Sequence, residues 1–224
     1  MYVTSEPVAP DPDFCIAHPK TGRVLPDRRV ATGQHVFREG DAVQQIYQVK
    51  SGVVRLARLL EDGRRQVIAF GYPGDIVGFP SLGSYHSDCD ALTDTVLHPY
   101  RRQVLEDGGG DPALHRFLLD AALNEISAMQ DHFMMLGRKS AFEKVASFLA
   151  ALCARVGTGT GRQYTFNLPM TRGDIGDFLG LTTETVSRTL TQLRKSGMIE
   201  IDHVNTVVVL NPAGLVALAS GESH

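Results

Sequence analysis

The chain has 224 residues, of which 43% are apolar and 21% charged, with a formal net charge of -3. That balance excludes an intrinsically disordered chain, and the absence of a strong lysine and arginine excess excludes an unspecific polyanion binder. It leaves room for one large or two modest domains and for a small, well-placed nucleic-acid surface.

Three widely spaced cysteines, Cys15, Cys89 and Cys153, show no CxxC or Cys/His ligand spacing. A disulfide scaffold or zinc module is therefore not expected, and neither a metal nor a cofactor is implied. No cationic segment followed by an apolar run opens the sequence, and no stretch approaches the ~20 apolar residues that span a bilayer. A cytoplasmic protein with no membrane partner is the expectation.

Residues 1 to 22 hold four of the eleven prolines and carry neither a helical nor a strand period; they read as a loose arm. From Val24 to about Pro99, short apolar runs are broken by glycine, as in HVFREGD, QIYQVKSGVVRLARLLEDGR and QVIAFGYPGDIVGFPSLG. Closely spaced short strands with SG and EDG turns predict a compact antiparallel barrel or sandwich. The alternating pair GVVRLARLL and RRQVIAFG, joined through EDG, predicts a hairpin.

The pattern changes at GGGDPA, residues 108 to 113, which predicts a helix start with Asp111 as N-cap and Pro112 at the first helical position. Beyond it, Leu114, Phe117, Leu118, Ala121, Ala122, Glu125, Ala128, Met129, His132 and Met135 recur at intervals of three and four. That stripe is long for a helix covering a small barrel, and pairing with the same helix of a second subunit accounts for the excess. Packing wholly within one chain is the alternative. A second helix is expected over roughly 140 to 155, ended by VGTGTGRQ, whose glycines predict a turn or hairpin tip.

TRGDIGDFLG begins with Thr171 and carries Asp174 three residues later, an acidic variant of a capping box that opens a short helix. Leu181 and Thr182 form a turn, and Thr183 starts a helix running to about Ser196, so the spacing is that of a helix-turn-helix. Val186, Leu190 and Leu193 share one face and are expected to pack on Ile175, Phe178 and Leu179. The opposite stripe holds Glu184, Ser187, Arg188 and Thr191. In a major groove arginine can donate twice to guanine and glutamate can accept from cytosine, with Glu184 and Arg188 nearest the helix N-terminus and the base edges. A plain Glu184–Arg188 ion pair on a solvated face is the competing reading, worth only ~0.3 kcal/mol. EIDHVNTVVVLNP then predicts a hairpin with its turn at HVN. With the strand around YTFNLP it makes a winged helix, from which Arg172, Arg194, Lys195 and His203 can reach backbone phosphates, with Thr183 and Thr191 as further backbone contacts.

DIGDFLGLTTETVSRTLTQLRKSGMI, together with REGD, GYPGDIVGF and the long linking helix, resembles the cyclic-AMP receptor protein and FNR superfamily of bacterial transcription regulators, and more closely its FNR and FixK branches. The resemblance spans about residues 24 to 210. It implies an α+β chain: a flexible arm over 1–23, a cyclic-nucleotide-binding-like antiparallel β-roll over 24–108, a dimerisation helix over 109–137 and a winged-helix DNA-binding domain over 138–224. It further implies a homodimer that binds a TTGAT-N4-ATCAA palindrome in double-stranded DNA and recruits RNA polymerase to microaerobic or nitrogen-fixation genes. Glu184, Ser187 and Arg188 match the family's base-reading ExxSR pattern, and Leu114, Phe117, Leu118, Ala121, Glu125, Ala128, Met129 and His132 become the dimerisation set.

Two departures narrow this. SYHSDCDALTD offers no arginine for a nucleotide phosphate, and three cysteines fall short of the four thiolates an iron–sulfur cluster usually takes. Cys153 reads as a buried small hydrophobe, while Cys89 is expected in an exposed acidic loop that disfavours its thiolate; these two are the only candidate redox positions. The competing function is a ligand-, haem- or redox-gated regulator of the same superfamily. Neither an enzyme nor a purely structural module fits the motifs, since no nucleophile arrangement is present.

Overall fold

A computed structural model describes residues 25–107, 111–160, 163–202 and 205–221. The arm over 1–23 and Cys15 lie outside the described residues. The chain divides between Ser127 and Ala128, within a helix, into two compact units. The resemblance implies boundaries on either side of that helix, at 108/109 and 137/138.

The first unit is built from eight antiparallel strands: β1 (Arg28–Val30), β2 (His35–Phe37), β3 (Gln45–Ser51), β4 (Val54–Leu59), β5 (Arg65–Gly71), β6 (Ile76–Val77), β7 (Asp88–Ala91) and β8 (Thr95–Arg101). They form two four-stranded sheets, ordered β1-β8-β3-β6 and β2-β7-β4-β5, the compact antiparallel unit that the spacing of apolar runs predicts and the β-roll that the resemblance implies. The predicted hairpin is β4–β5, with Leu59 opposite Arg65 and Val54 opposite Gly71. Its apolar core includes Ile46, Val54, Phe70 and Leu97, all fully buried. A short helix that the sequence reading did not separate from the roll, α1 (Arg102–Asp107), follows β8.

Several polar groups inside the roll pair with one another. Arg55 on β4 grips Asp90 on β7 through Nε to Oδ1 (3.2 Å) and Nη2 to Oδ2 (2.9 Å), a two-point geometry that suits guanidinium and carboxylate. Gln48 accepts from the Tyr100 hydroxyl at 2.9 Å. Asp27 takes the Lys50 ammonium and lies 2.8 Å from Nδ1 of buried His98, and those hydrogen bonds hold its carboxyl below the usual range.

Cys89 is the central correction in this unit. It lies on β7, a strand paired with both β2 and β4, and is fully buried rather than exposed in a loop. Burial first, then the neighbouring Asp90 and Asp88 carboxylates, push its thiol well above the ordinary range. A protonated, water-excluded thiol is a poor nucleophile, so the position does not suit redox sensing. Cys153, in the second unit, is half-buried, and burial raises its pKa as well.

Helix α2 (Pro112–Arg138) begins as its sequence dictates: Asp111 Oδ1 accepts from the backbone amides of Ala113 and Leu114. The second unit continues with α3 (Ala141–Val156), opened by a reciprocal Ser140/Glu143 capping box. It then runs through β9 (Thr158–Thr160), β10 (Gln163–Asn167), α4 (Arg172–Leu179), α5 (Thr183–Lys195), β11 (Ile199–Asp202), β12 (Thr206–Val209) and α6 (Pro212–Ser220). Its sheet is ordered β11-β12-β10-β9, so Thr158–Thr160 pairs antiparallel with β10, the expected tip at 161–162 lies outside the described residues, and the wing pairs onto the strand that precedes α4.

The Arg55–Asp90 pair is largely shielded from solvent, and removing one partner strands the other's charge. Asp90→Asn is expected to lower the unfolding free energy by ~3 kcal/mol, while Arg55→Met/Asp90→Leu loses much less. Urea denaturation of the three proteins checks this, and equal losses would show that packing rather than charge sets the cost.

Candidate nucleic-acid interface

The recognition unit is two capped helices meeting at a tight turn. Thr171 caps α4: its backbone N–H and hydroxyl both donate to Asp174 Oδ2, at 2.9 and 2.8 Å, while its hydroxyl oxygen accepts from Asp174 N at 3.1 Å. Asp174 is buried by this closure, so the shortened acidic version of the box does the work of the longer glutamate. α4 ends at Gly180, which adopts φ 64°, ψ 41°, a left-handed conformation that glycine reaches without strain. Leu181 N donates to Gly176 O at 2.9 Å. A Cβ on Gly176 would lie 2.6 Å from the Leu181 carbonyl oxygen, so the turn closes only because residue 176 has no side chain. Thr182 then caps α5, accepting from Thr185 N at 3.1 Å.

Val186, Leu190 and Leu193 of α5 and Ile175, Phe178 and Leu179 of α4 are all buried, as their spacing predicts. Thr189 joins them, a position that hydrophobic periodicity passes over because the residue is polar. The outward stripe carries Thr183, Glu184, Ser187, Arg188 and Thr191, all exposed. Arg188 Nη2 donates to Glu184 Oε1 one helical turn away, with about 70% of each side chain exposed. The Ser187 hydroxyl donates to Thr183 O and that of Thr191 to Ser187 O, both at 2.9 Å. Each hydroxyl has thus committed its hydrogen to the helix and turns acceptor lone pairs, and in Thr191 a methyl group, outward.

Among the residues assigned to the phosphate backbone, Arg194 and Lys195 are exposed in the last turn of α5. There they also suit the negative end of the helix dipole. Arg172 is half-buried at the start of α4, and desolvation lowers its pKa. His203 lies outside the described residues.

The structure divides the dimerisation set. Leu114, Leu118 and His132 are already buried within one chain, while Phe117, Ala121, Glu125 and Ala128 are half-buried, and of the eight only Met129 is exposed. Three of the eight are thus enclosed by their own chain, and the other five keep surface that a partner could meet. A second apolar stripe, Leu119, Leu123, Ile126 and Phe133, is exposed, up to 74% at Phe133. Its 4-3-7 spacing is a signal in the sequence, masked by the longer stripe beside it.

Near the end of α2, the His132 ring stacks on Phe178 of α4, with centroids 4.3 Å apart and planes 17° off parallel. Burial lowers the histidine's pKa to about 4, partly offset by a hydrogen bond to the Phe178 backbone.

Two capped helices with an outward stripe of hydrogen-bonding side chains, followed by a β-wing and preceded in the sequence by a β-roll, define a winged-helix DNA-binding regulator. Residues 143–218 match the Crp-like helix-turn-helix domain and residues 27–107 the cyclic nucleotide-binding domain. The chain is 41% identical over 196 residues to the nitrogen fixation regulation protein FixK of Rhizobium meliloti (strain 1021), covering 86% of this chain and 88% of that one. It is 35% identical over 201 residues to the transcriptional activator protein FnrL of Cereibacter sphaeroides, covering 88% and 81%. The solved structure of FixK2 from Bradyrhizobium japonicum superposes with a TM-score of 0.79 at 36% identity, covering 88% of this chain and 98% of that one. The chain belongs to the cyclic-AMP receptor protein/FNR superfamily of bacterial transcription regulators, in its FixK branch. It is a DNA-binding transcription activator and not an enzyme.

The match to a cyclic nucleotide-binding domain concerns the roll and not a fitted ligand. Strand β7 offers Asp88 and Asp90, and the arginine that reaches it, Arg55, is already gripped by Asp90. A phosphate would meet carboxylates and a guanidinium whose charge is matched, so the residues present do not fit an anionic nucleotide. Among the described residues, no group of three or more His, Cys, Asp or Glu is placed to hold a metal ion, and no helix is long and apolar enough to cross a membrane.

The buried histidine gives stability a defined pH dependence. The unfolded chain takes up a proton as pH falls through the ordinary value of 6.5, whereas the folded chain does so only near 4. His132's contribution is therefore intact above pH 6.5 and declines as pH falls toward about 4, by on the order of 3 kcal/mol in all. His132→Phe should flatten that part of the profile, and parallel urea midpoints for the two proteins from pH 7 to 4.5 would show that His132 is not the group responsible.

Proposed function

We propose that the protein is a FixK-like activator that binds TTGAT-N4-ATCAA palindromes as a homodimer and recruits RNA polymerase to genes of microaerobic metabolism or nitrogen fixation. The observation that carries the reading is the coincidence of the ExxSR residues Glu184, Ser187 and Arg188 with the exposed stripe of α5. Arg188 has the fork to donate to a guanine and Glu184 the carboxylate to accept from a cytosine; Ser187, its hydrogen engaged, offers an acceptor face near the thymines. Arg172, Thr183, Thr191, Arg194 and Lys195 supply position and salt-dependent affinity along the backbone. Half-sites one turn apart, about 34 Å, call for two such units at a fixed separation.

The seam of the dimer is the outward stripe of α2: Leu119, Leu123, Ile126 and Phe133, with Met129 at its edge. Large apolar side chains repeated every three to four residues on one exposed face favour pairing with an identical helix. For polymerase contact, the loop over Phe79–Tyr85 supports the reading. Leu82 at its tip is fully exposed and held at φ 51°, in a tight turn where Ser81 and Ser84 exchange backbone hydrogen bonds. A leucine fixed in a left-handed conformation with no cover of its own suits recognition better than packing.

Two measurements test the reading. In fluorescence anisotropy at a stated salt concentration, Arg188→Ala should weaken binding to the TTGAT palindrome by ~1 to 3 kcal/mol and leave scrambled DNA nearly unchanged; equal losses on both would remove Arg188 from base reading. In analytical ultracentrifugation Phe133→Glu should shift the protein toward monomer, and an unchanged mass would place the seam elsewhere.

A further inference from the structure

The last turns of α2 have two employments, and the inward one is not explained by packing alone. His132, Met135 and Lys139 lie at i, i+3 and i+7, on one face, and each engages the DNA-binding unit or is buried in it. His132 stacks on Phe178, a fully buried ring of α4, which is itself tilted 60° against Phe148 of α3 at 5.8 Å. Met135 is buried. Lys139, the residue after the helix, donates from Nζ to Ser147 Oγ on α3 at 2.8 Å and to Ala219 O in the last turn of α6 at 2.7 Å. Its backbone N–H still reaches back to Met135 O at 3.1 Å, so the helical ladder carries through to it without a break.

These contacts differ from ordinary core filling in their chemistry. A flat ring against a flat ring, and an ammonium between two acceptors on two other helices, fix direction as well as distance. An aliphatic contact tolerates rotation about the helix axis. The other side of the same two turns presents Phe133 to solvent, with Met129 exposed on the flank between the two faces. Whatever holds that outward face is therefore connected, through two directional anchors, to α4 and hence to the tight turn that aims α5.

We infer that His132 and Lys139 are positioning residues for DNA recognition, which fix the helix-turn-helix to the outward face of the last two turns of α2 and thereby set the half-site spacing the dimer accepts. The inference rests on the proposed pairing through that outward face. Neither residue touches DNA in this scheme. Their removal loosens the angle at which each recognition helix is presented and leaves its base-reading side chains unchanged.

The experiment compares full-length wild type, His132→Ala, His132→Phe and Lys139→Met on TTGAT-Nx-ATCAA duplexes with x from 3 to 6. Circular dichroism and ultracentrifugation confirm fold and dimer mass in each protein. Wild type is expected to prefer x = 4 by at least about tenfold, in the range of a single well-placed contact. His132→Ala and Lys139→Met should reduce that preference to about threefold or less by gaining on the wrong spacers relative to the right one. His132→Phe, which keeps the stacked ring, should restore most of it. Folded, dimeric His132→Ala and Lys139→Met proteins that retain the full spacer preference would overturn the inference, as would a uniform loss on every spacer. Should His132→Ala not fold, Lys139→Met, at a half-exposed position, decides the matter alone. A wild-type protein that is monomeric or indifferent to spacer length would instead reject the underlying dimer reading, an outcome separate from any variant's behaviour.

Discussion

The approach of Leu181 to Gly176 is the constraint on which the DNA-binding unit depends. The carbonyl oxygen of Leu181 occupies the space a Cβ would take, and only that closeness allows α4 and α5 to join through so short a connection. Everything that follows is a consequence of direction. Val186, Leu190 and Leu193 turn inward onto α4, so the ExxSR stripe must turn outward. The caps at Thr171 and Thr182 satisfy backbone donors at both helix starts, leaving few polar groups in the turn that compete for another arrangement.

The roll shows the opposite economy. In the second unit polar side chains are held at the surface and made available; in the first they are drawn in and matched against one another, Arg55 with Asp90, Tyr100 with Gln48, His98 with Asp27. A scaffold with its charges paired internally keeps its shape, and it offers little to a small anionic ligand. The same burial raises the pKa of Cys89, flanked by two aspartates in the sequence: the strand pairing that brings Asp90 to Arg55 also encloses the thiol.

Much of this was legible in the residues. The capping pairs, the alternation across the EDG hairpin and the three-four spacing of Val186, Leu190 and Leu193 are local signals, and local geometry honours them. What was not legible depended on which neighbour arrives from elsewhere in the chain. Period alone assigns α2 an apolar stripe but does not say whether that stripe meets its own chain or another, and α2 carries two stripes. His132 belongs to the inward one because Phe178, 46 residues later in the numbering, supplies a ring to stack on. Thr189 is buried against expectation, and Arg55 reaches a strand whose own residues include no arginine; both depend on tertiary contacts that periodicity does not encode.

The intrahelical pair between Arg188 and Glu184 bears on how the protein searches a genome. A lone arginine is drawn to any phosphate, but this one reaches DNA with a carboxylate beside it, in a chain of net charge -3. Random duplex offers a partner to the cation and repels the anion, so contact there is brief. A site that presents a guanine acceptor and a cytosine donor together accommodates both side chains at once. In the proposed base reading, the glutamate therefore counts against wrong sequence as well as toward the right one.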